Sequence, residues 1–280
     1  MEKSYKRYFL LFALPTLIVF FITFIIPFIL GIGLSFTKWN STFLDASFNG
    51  FNNYIEAFKD ITFLNAFWFT TRFTIVSVIT INVFAFLLAL LLTSKIKGKS
   101  ALRSVFFMPN LIGGVVLGYI WQVIINAVLN NYGLTLTMDA KYGFWGLVIL
   151  MNWQLIGYMM IIYIAGIQTV DNELIEAAKV DGANAFQRLR HIIIPSVMPA
   201  ITICLFLTLS NSFKLYDQNM ALTAGGPMHT TEMLALNIVD TIYNQRLPGV
   251  GQAKAVIFFI LISIISLIQV KITRRKEVEV

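Results

Sequence analysis

The sequence of 280 residues has little charge, and this scarcity excludes a water-soluble globule. Charged residues make up 12% of the chain, whereas soluble domains carry about 25%. The hydrophobic fraction is 58% and the mean hydropathy is +0.76. So much apolar surface cannot be buried inside one soluble domain, and we expect most of it to face lipid.

Cysteine, histidine and buried acids are also scarce. Cys204 is the single cysteine, so no internal disulfide is possible. His191 and His229 lie far apart and have no metal-ligand spacing. The apolar runs contain no Asp or Glu, whereas a proton- or sodium-coupled carrier usually keeps an ionisable residue inside the membrane. We therefore predict no catalytic residue, no metal site and no enzyme activity in this chain.

Nucleotide and nucleic-acid binding are excluded by position. The fragment Gly98-Lys99-Ser100 resembles the end of a phosphate-binding loop, but Thr93 stands where that loop needs its first glycine. The net charge of +7 comes from short basic clusters between apolar runs, not from one basic face. We expect no cofactor in this chain and no nucleic-acid partner.

Six apolar runs predict six membrane helices. A bilayer core of about 30 Å needs about 20 apolar residues in a helix. We predict an all-α membrane protein with one transmembrane domain over residues 1–280. Its helices are expected at about 9–37, 67–93, 105–129, 143–168, 192–215 and 251–272. The first run is too long for a signal peptide and lacks a cleavage site, so we expect it to be retained.

The distribution of Lys and Arg predicts the orientation of the chain. Fourteen of the 21 lie at the two termini and in the loops after helices two and four. The remaining seven are spread over the longer loops of the other side. Because Lys and Arg concentrate on the cytoplasmic side of membrane proteins, we expect both termini to be cytoplasmic.

The loop at 169–195 predicts two short helices outside the membrane. Asp171 can cap the first helix, and Gly182 can adopt the left-handed conformation that ends it. Asn184 and Gln187 have the spacing of a capping box that starts a second helix. Such a helix pair makes a rigid protrusion, and small side chains at Ala177 and Ala178 suit a groove in a partner.

Sequence motifs in this loop and elsewhere resemble a known family. Glu176-Ala177-Ala178, then Gly182, then residues 192–195 ending in Pro195 resemble the EAA motif of the permease subunits of ABC importers. Ile194 stands where that family usually has Leu. A second segment, with Thr223, Gly225, Gly226, Pro227 and Thr231, resembles a T-x-GGP-x-x-x-T stretch of maltose-permease-like subunits from the carbohydrate-uptake branch.

The resemblance implies a fold, a location and partners. The fold would be that of a type I ABC importer permease, in the cytoplasmic membrane of a bacterium or archaeon. The partners would be membrane lipid, a second homologous permease, two ATPase subunits that bind ATP and Mg²⁺, and an external solute-binding protein that delivers a sugar. Contact with the ATPase would fall on Glu176, Ala177, Ala178, Asp181 and Gly182.

Polar side chains inside two predicted helices are candidates for the solute path. Hydroxyls and amides that cannot reach water need partners, and a sugar supplies many. The resemblance places the solute site on helices four and five, where the candidates are Asn152, Trp153, Gln154, Tyr158, Thr208, Asn211 and Ser212. The same polar groups also suit hydrogen bonds between helices. Lys214 and Asp217 are spaced to pair on one helical face, or Lys214 can snorkel to the interface.

Two other functions fit parts of this pattern. An ABC importer of another solute, such as glycerol phosphate, would use cations such as Arg72 or Lys214 in its path. A channel or scaffold without ATP coupling would have no need for the protruding helix pair in the loop at 169–195.

The orientation can be tested by labelling engineered cysteines. In a Cys204→Ala background, Glu2→Cys and Glu279→Cys should resist an impermeant thiol reagent in intact cells and react after the membrane is opened. Reaction of either site in intact cells would contradict cytoplasmic termini.

Overall fold

The computed structural model describes residues 2–39, 46–94, 96–275 and 277, which are mostly helical. Four helices there are long and apolar enough to cross a membrane: Phe12–Ser35, Ile61–Thr93, Ala140–Gln168 and Pro248–Arg274. The same test is passed by two bent helix pairs: Lys99–Leu111 with Gly114–Asn130, and Ala185–Ser196 with Met198–Phe213. With each pair counted as one span, the described residues contain six spans.

The elements are numbered in chain order. The first part of the chain contains α1 (Glu2–Phe20), α2 (Ile26–Ser35), β1 (Thr37–Lys38), β2 (Ser47–Phe48), α3 (Asn52–Lys59), α4 (Ile61–Thr93), α5 (Lys99–Phe107) and α6 (Gly114–Asn130). The second part contains α7 (Ala140–Gln168), α8 (Asn172–Val180), α9 (Ala185–Arg188), α10 (Ile194–Ser196), α11 (Met198–Phe213), α12 (Asp217–Leu222), α13 (Leu234–Tyr243) and α14 (Pro248–Arg274).

The chain forms two compact units. The first comprises Met1–Ile61 and Ile238–Ile260, and the second comprises Thr62–Asn237 and Leu261–Val280.

In the first unit, a widened helical turn precedes a proline. The π-helical turn Phe21–Ile25 joins α1 to α2, and Pro27 follows it. Proline has no N–H to donate to the carbonyl four residues earlier, so the ladder opens at this point. The span Phe12–Ser35 has none of its apolar window buried within the chain, as expected of a helix that faces lipid or a partner.

Buried polar groups in the first unit are paired. The Asn53 amide donates to the carbonyl oxygens of Ser35 and Thr37, each at 2.8 Å. Lys254, fully buried in α14, donates to Asp60 Oδ2 at 2.6 Å and to Thr241 Oγ1 at 2.7 Å. A buried ammonium needs such partners, and here they link α14 to α13 and to the residue after α3.

Two of the six spans are broken. The helices on either side of residues 112–113 are bent by 101°, and those on either side of Val197 by 71°. Pro109 and the glycine pair Gly113-Gly114 lie at the first break, and Pro195 and Pro199 flank the second. We expected continuous helices at about 105–129 and 192–215. The structure instead has α6 beginning at Gly114 and α11 at Met198.

The core of the second unit surrounds α7. Its fully buried side chains include Leu147, Leu150, Met159 and Met160. Buried hydrogen bonds then tie three spans together: Asn82 of α4 donates to Thr208 of α11 at 2.9 Å and accepts from Tyr163 of α7 at 2.7 Å. Helix positions in this unit are therefore set by both packing and directional bonds.

Glycines allow neighbouring helices of this unit to approach closely. A Cβ at Gly157 would lie 1.7 Å from the Phe106 carbonyl oxygen, so α7 touches the backbone of α5. Gly114 and Gly118 face α12, where a Cβ at Gly118 would lie 2.5 Å from that of Ala221. The GxxxG spacing of α6 thus serves helix packing, as its small-residue pattern predicts.

Candidate functional site

A polar cavity of about 460 Å³ lies among α7, α11 and α12 in the second unit. It is termed the amide cavity because four carboxamide side chains line it: Asn110, Gln154, Asn211 and Gln218. The other lining residues are Met151, Leu155, Tyr158, Leu207, Lys214 and Leu215. Its volume falls within the range of about 300–1,000 Å³ typical of ligand pockets.

One wall of the amide cavity is fixed by a hydrogen bond between two of these carboxamides. Gln218 Nε2 donates to Gln154 Oε1 at 2.8 Å. Gln154 is 9% exposed, so it cannot rotate freely away from this partner. The bond leaves the Gln154 amino group and the Gln218 carbonyl oxygen with no further partner in the described part of the chain. One donor and one acceptor thus remain for a ligand.

The other polar side chains of the amide cavity also have no hydrogen-bond partner among the described residues. Among the residues that the structure describes, no hydrogen bond or ion pair engages the side chains of Asn110, Tyr158, Asn211 or Lys214. Among the described lining residues, Lys214 carries a charge and none is a carboxylate. The site therefore offers amide, phenol and ammonium groups in a partly apolar wall, which suits a solute rich in hydroxyl groups.

Three of the predicted path residues line this cavity, and four lie elsewhere. Gln154, Tyr158 and Asn211 are brought together by α7 and α11. Thr208 and Ser212 are fully buried, and their hydroxyls donate to the carbonyl oxygens of Cys204 and Thr208, each at 2.7 Å.

The remaining two candidates occupy other faces of α7. Asn152 donates to the Val148 carbonyl oxygen at 2.8 Å, and the Trp153 ring packs edge-on against Trp121 at 5.7 Å. Three successive residues of an α-helix span about 200° around its axis, so residues 152, 153 and 154 cannot all face one cavity.

Three polar residues that line the amide cavity were not among the predicted path residues: Asn110, Lys214 and Gln218. Asn110 lies in the 3₁₀ turn Met108–Leu111, and Gln218 lies in the short helix α12. Asn110 falls inside the predicted helix at about 105–129, whereas the path candidates were confined to helices four and five, and Gln218 lies after the predicted end of helix five. Lys214 was expected to pair with Asp217 or to snorkel. No ion pair joins these two described residues, and Lys214 lines the cavity instead. A polar residue beside a proline, as at Asn110, is the signal that could have indicated a broken helix in the path.

The T-x-GGP segment positions α12 and thereby Gln218. Thr231 Oγ1 donates to the Gly226 carbonyl oxygen at 2.6 Å. The Asn219 amide donates to the Thr231 carbonyl oxygen at 2.8 Å and accepts from the Met233 N–H at 3.0 Å. These buried bonds hold the loop against α12, so this motif acts on the cavity wall through packing.

A second candidate site is the exposed segment α8–α9. Asp171 caps α8 by accepting from the Glu173 N–H at 2.8 Å. At the other end, Ala183 N donates to the Ala178 carbonyl oxygen at 2.9 Å and Gly182 N to that of Lys179 at 3.1 Å. These two bonds form a Schellman motif, with Gly182 at φ +82°.

The start of α9 is capped reciprocally. Asn184 and Gln187 exchange backbone and side-chain hydrogen bonds at 2.8 and 2.9 Å, which is a full capping box. Both ends of the α8–α9 turn are therefore fixed in direction by hydrogen bonds.

The exposed surface of this segment combines charge with apolar side chains. Glu176, Ala177, Asp181 and Gly182 are exposed and Ala178 is half-buried. Ile175 packs toward the core of the unit, which anchors the helix. Three apolar side chains that the sequence analysis did not single out are 51%, 87% and 65% exposed: Leu174, Val180 and Phe186. Such a patch on a rigid protrusion is typical of a protein–protein contact.

Membrane-spanning helices, a polar cavity among them and a rigid exposed helix pair define the class. Together they describe the membrane component of a transport system.

Comparisons with known proteins identify the family. Residues 82–278 match the family model described as "Binding-protein-dependent transport system inner membrane component". The chain is 45% identical over 282 residues to the probable starch degradation products transport system permease protein AmyD of Thermoanaerobacterium thermosulfurigenes, covering 96% of this chain and 94% of that protein. It is 29% identical to the multiple sugar-binding transport system permease protein MsmF of Streptococcus mutans, covering 95% of each.

A solved structure supports the fold. The chain superposes on a chain of a bacterial ABC transporter for the import of the acidic polysaccharide alginate with a TM-score of 0.77, at 21% identity and 98% coverage of each chain. The chain belongs to the family of binding-protein-dependent transport system inner membrane components, and it is a permease subunit of an ABC importer and not an enzyme. The predicted all-α permease fold is confirmed.

The amide cavity predicts which polar residues affect solute affinity. Gln154→Ala and Asn211→Ala should each raise the half-saturation concentration of uptake by about 2- to 10-fold, because one hydrogen bond contributes about 0.5–1.5 kcal/mol. Uptake by the whole importer in proteoliposomes is the measurement.

Asn152→Ala is the matched control, since it also removes a carboxamide from α7, but Asn152 does not line the cavity and bonds the Val148 carbonyl oxygen of its own helix. It should leave the half-saturation concentration unchanged. Equal half-saturation in all three variants and the wild type would contradict a solute role for the cavity.

Proposed function

We propose that this chain forms half of the membrane path for a starch-derived oligosaccharide, which it moves by alternating access. The observation that carries the proposal is the convergence of four carboxamides, a phenol and one lysine on a single cavity between α7, α11 and α12. Carboxamides both donate and accept hydrogen bonds, and they therefore match the hydroxyl groups of a sugar.

The relatives support the choice of solute class. One is named for starch degradation products and another for multiple sugars. Lys214 is the feature of the amide cavity that also suits a phosphorylated solute such as glycerol phosphate. A dianionic phosphate is usually held by more than one cation or by a helix N-terminus, so the amide-rich lining favours a neutral sugar.

The path requires partners that this chain does not supply. We infer a second homologous permease for the other half of the path and an external binding protein that delivers the sugar. Two ATPase subunits would bind ATP and Mg²⁺. Both termini would be cytoplasmic, because the basic residues concentrate there and beside α8.

The α8–α9 segment is proposed to receive the movement of the ATPase. Leu174, Val180 and Phe186 would enter an apolar groove, and Glu176 and Asp181 would face cations at its rim. Because both ends of the turn are fixed by capping bonds, displacement of this segment would be transmitted and not absorbed. The chain runs from α9 through the π turn Leu189–Ile193 to α11, which carries Asn211.

Substitution at Gly182 tests this coupling. No atom lies within 4 Å of a Cβ built at Gly182, so a side chain there meets only backbone strain at φ +82°. Gly182→Val should cost about 1 kcal/mol or more and misdirect the segment. We expect normal membrane insertion, with weaker co-purification of the ATPase or ATP hydrolysis that no longer responds to loaded binding protein.

Gly182→Asn is the matched control, because Asn tolerates the left-handed conformation far better than Val. It should keep near-normal coupling. Ala178 is half-buried one helical turn from Ile175, so Ala178→Trp should displace the segment and behave like Gly182→Val. Normal attachment and coupled uptake in both Gly182→Val and Ala178→Trp would rule out this segment as the coupling element.

The solute class is tested with the reconstituted importer. External binding protein loaded with a starch-derived oligosaccharide should stimulate ATP hydrolysis and uptake, and glycerol 3-phosphate should neither stimulate nor compete. Stimulation by glycerol 3-phosphate alone would exclude the oligosaccharide assignment while leaving the permease class intact.

A further inference from the structure

A second cavity, of about 540 Å³, lies between the first part of α4 and the first turns of α7 in the second unit. It shares no lining residue with the amide cavity. It is termed the cationic cavity because its lining contains two cations beside an amide and three aromatic rings: Asn65, Phe69, Arg72, Lys141, Phe144 and Trp145.

The charges of the cationic cavity leave an excess of positive charge. Arg72 is exposed and has no hydrogen bond or ion pair within the described residues. Lys141 lies 3.5 Å from Asp139, in a pair whose side chains are 62% and 50% exposed. The Asp139 carboxylate also accepts a hydrogen bond from the Lys141 N–H at 2.9 Å, and this bond caps the start of α7. The positive charges of Arg72 and Lys141 are thus only partly balanced by the one carboxylate of Asp139. The remaining positive charge favours an anionic ligand.

Apolar stripes extend from both cations along their helices. On α4, Trp68, Ile75 and Ile79 are 57%, 55% and 58% exposed. Trp68 precedes Arg72 by four residues, and Ile75 and Ile79 follow it by three and seven. This spacing places all four side chains on one face of α4. On α7, Trp145 and Ile149 follow Lys141 at intervals of four and are 54% and 48% exposed. Arg72 therefore lies within an apolar stripe, between Trp68 and Ile75, and Lys141 lies at the start of another.

The length of α4 places Arg72 at the edge of the hydrocarbon. Its 33 residues span about 50 Å, whereas the hydrocarbon core is about 30 Å thick. A segment of about 20 apolar residues that ends at Thr93 begins near Phe73, one residue after Arg72. An exposed arginine at this depth lies among lipid headgroups, and Trp145 is of the residue type enriched there.

We propose that the cationic cavity binds an anionic phospholipid. The phosphate lies between Arg72 and Lys141, the Asn65 amide contacts the polar headgroup, and the acyl chains lie along the stripes of α4 and α7. Free phosphate would use the two cations alone. The rings of Phe144 and Trp145 and the stripes beyond them suit a ligand with an apolar tail, which free phosphate lacks. This inference does not depend on the solute.

Native mass spectrometry of the whole importer can count the bound lipid. The importer is purified from nanodiscs containing equal amounts of phosphatidylglycerol and phosphatidylcholine. The wild type should retain phosphatidylglycerol in preference to phosphatidylcholine. The Arg72→Gln/Lys141→Gln variant should retain several-fold less phosphatidylglycerol, with unchanged subunit composition.

Two controls separate the site from general effects of charge. Lys59→Gln removes an exposed cation on α3 and should bind phosphatidylglycerol as the wild type does. Arg72→Lys keeps the charge and should retain most of the lipid, which excludes misfolding at this position as the cause of loss. Equal retention by the double variant and the wild type would overturn the proposal.

A competition arm distinguishes the source of the phosphate. Inorganic phosphate and glycerol 3-phosphate at millimolar concentration should not displace the bound phosphatidylglycerol. Displacement by either, with a matching mass adduct, would identify a soluble phosphate site and overturn the lipid assignment. Retention of a second permease subunit over these helices with no lipid would do the same.

Discussion

The second unit depends on buried hydrogen bonds that water cannot replace. Inside a bilayer a polar side chain must be satisfied by protein, because the hydrocarbon offers no partner. Asn82 meets this constraint by donating to Thr208 and accepting from Tyr163, which joins α4, α7 and α11. The same α7 and α11 carry Gln154 and Asn211, so the bonds that hold the spans together also fix the two main walls of the amide cavity.

Breaks in the helices give this framework its polar lining. The turn at Met108–Leu111 exposes Asn110, and the end of α11 is followed by Lys214 and then by α12 with Gln218. Polar residues at broken helices line cavities in membrane proteins, because irregular backbone is tolerated there and not against lipid. Gly157 is necessary for this arrangement, since it lets α7 approach the Phe106 carbonyl oxygen beside the break.

The α8–α9 segment is followed closely along the chain by α11, which forms one wall of the amide cavity. Capping bonds fix α8 and α9, and the chain then turns by 71° into α11. A short path through hydrogen-bonded turns connects Gly182 to Asn211 with no loop longer than a few residues. In the proposed transport cycle, a movement imposed on α8 would reach a cavity wall through these turns.

The sequence by itself determined the class, the long apolar helices and the capped segment α8–α9. Apolar runs of about 20 residues specify membrane helices because the bilayer has one thickness, and the caps of α8 and α9 depend on residues within five positions of each other. The depth of Gln154, Tyr158 and Asn211 in the membrane followed from the same runs. Their neighbours Asn152, Trp153, Thr208 and Ser212 lie at similar depth, and depth alone did not separate the two groups.

Only the tertiary structure decided which polar side chains share a cavity. Helix rotation and the bends near Pro109 and Pro195 are set by contacts between residues that are far apart in the chain, such as Gly157 with Phe106 and Gln154 with Gln218. Arg72 and Lys141 come together for the same reason. A run of hydropathy records how deep a residue lies in the bilayer, whereas the direction it faces is fixed by packing between helices.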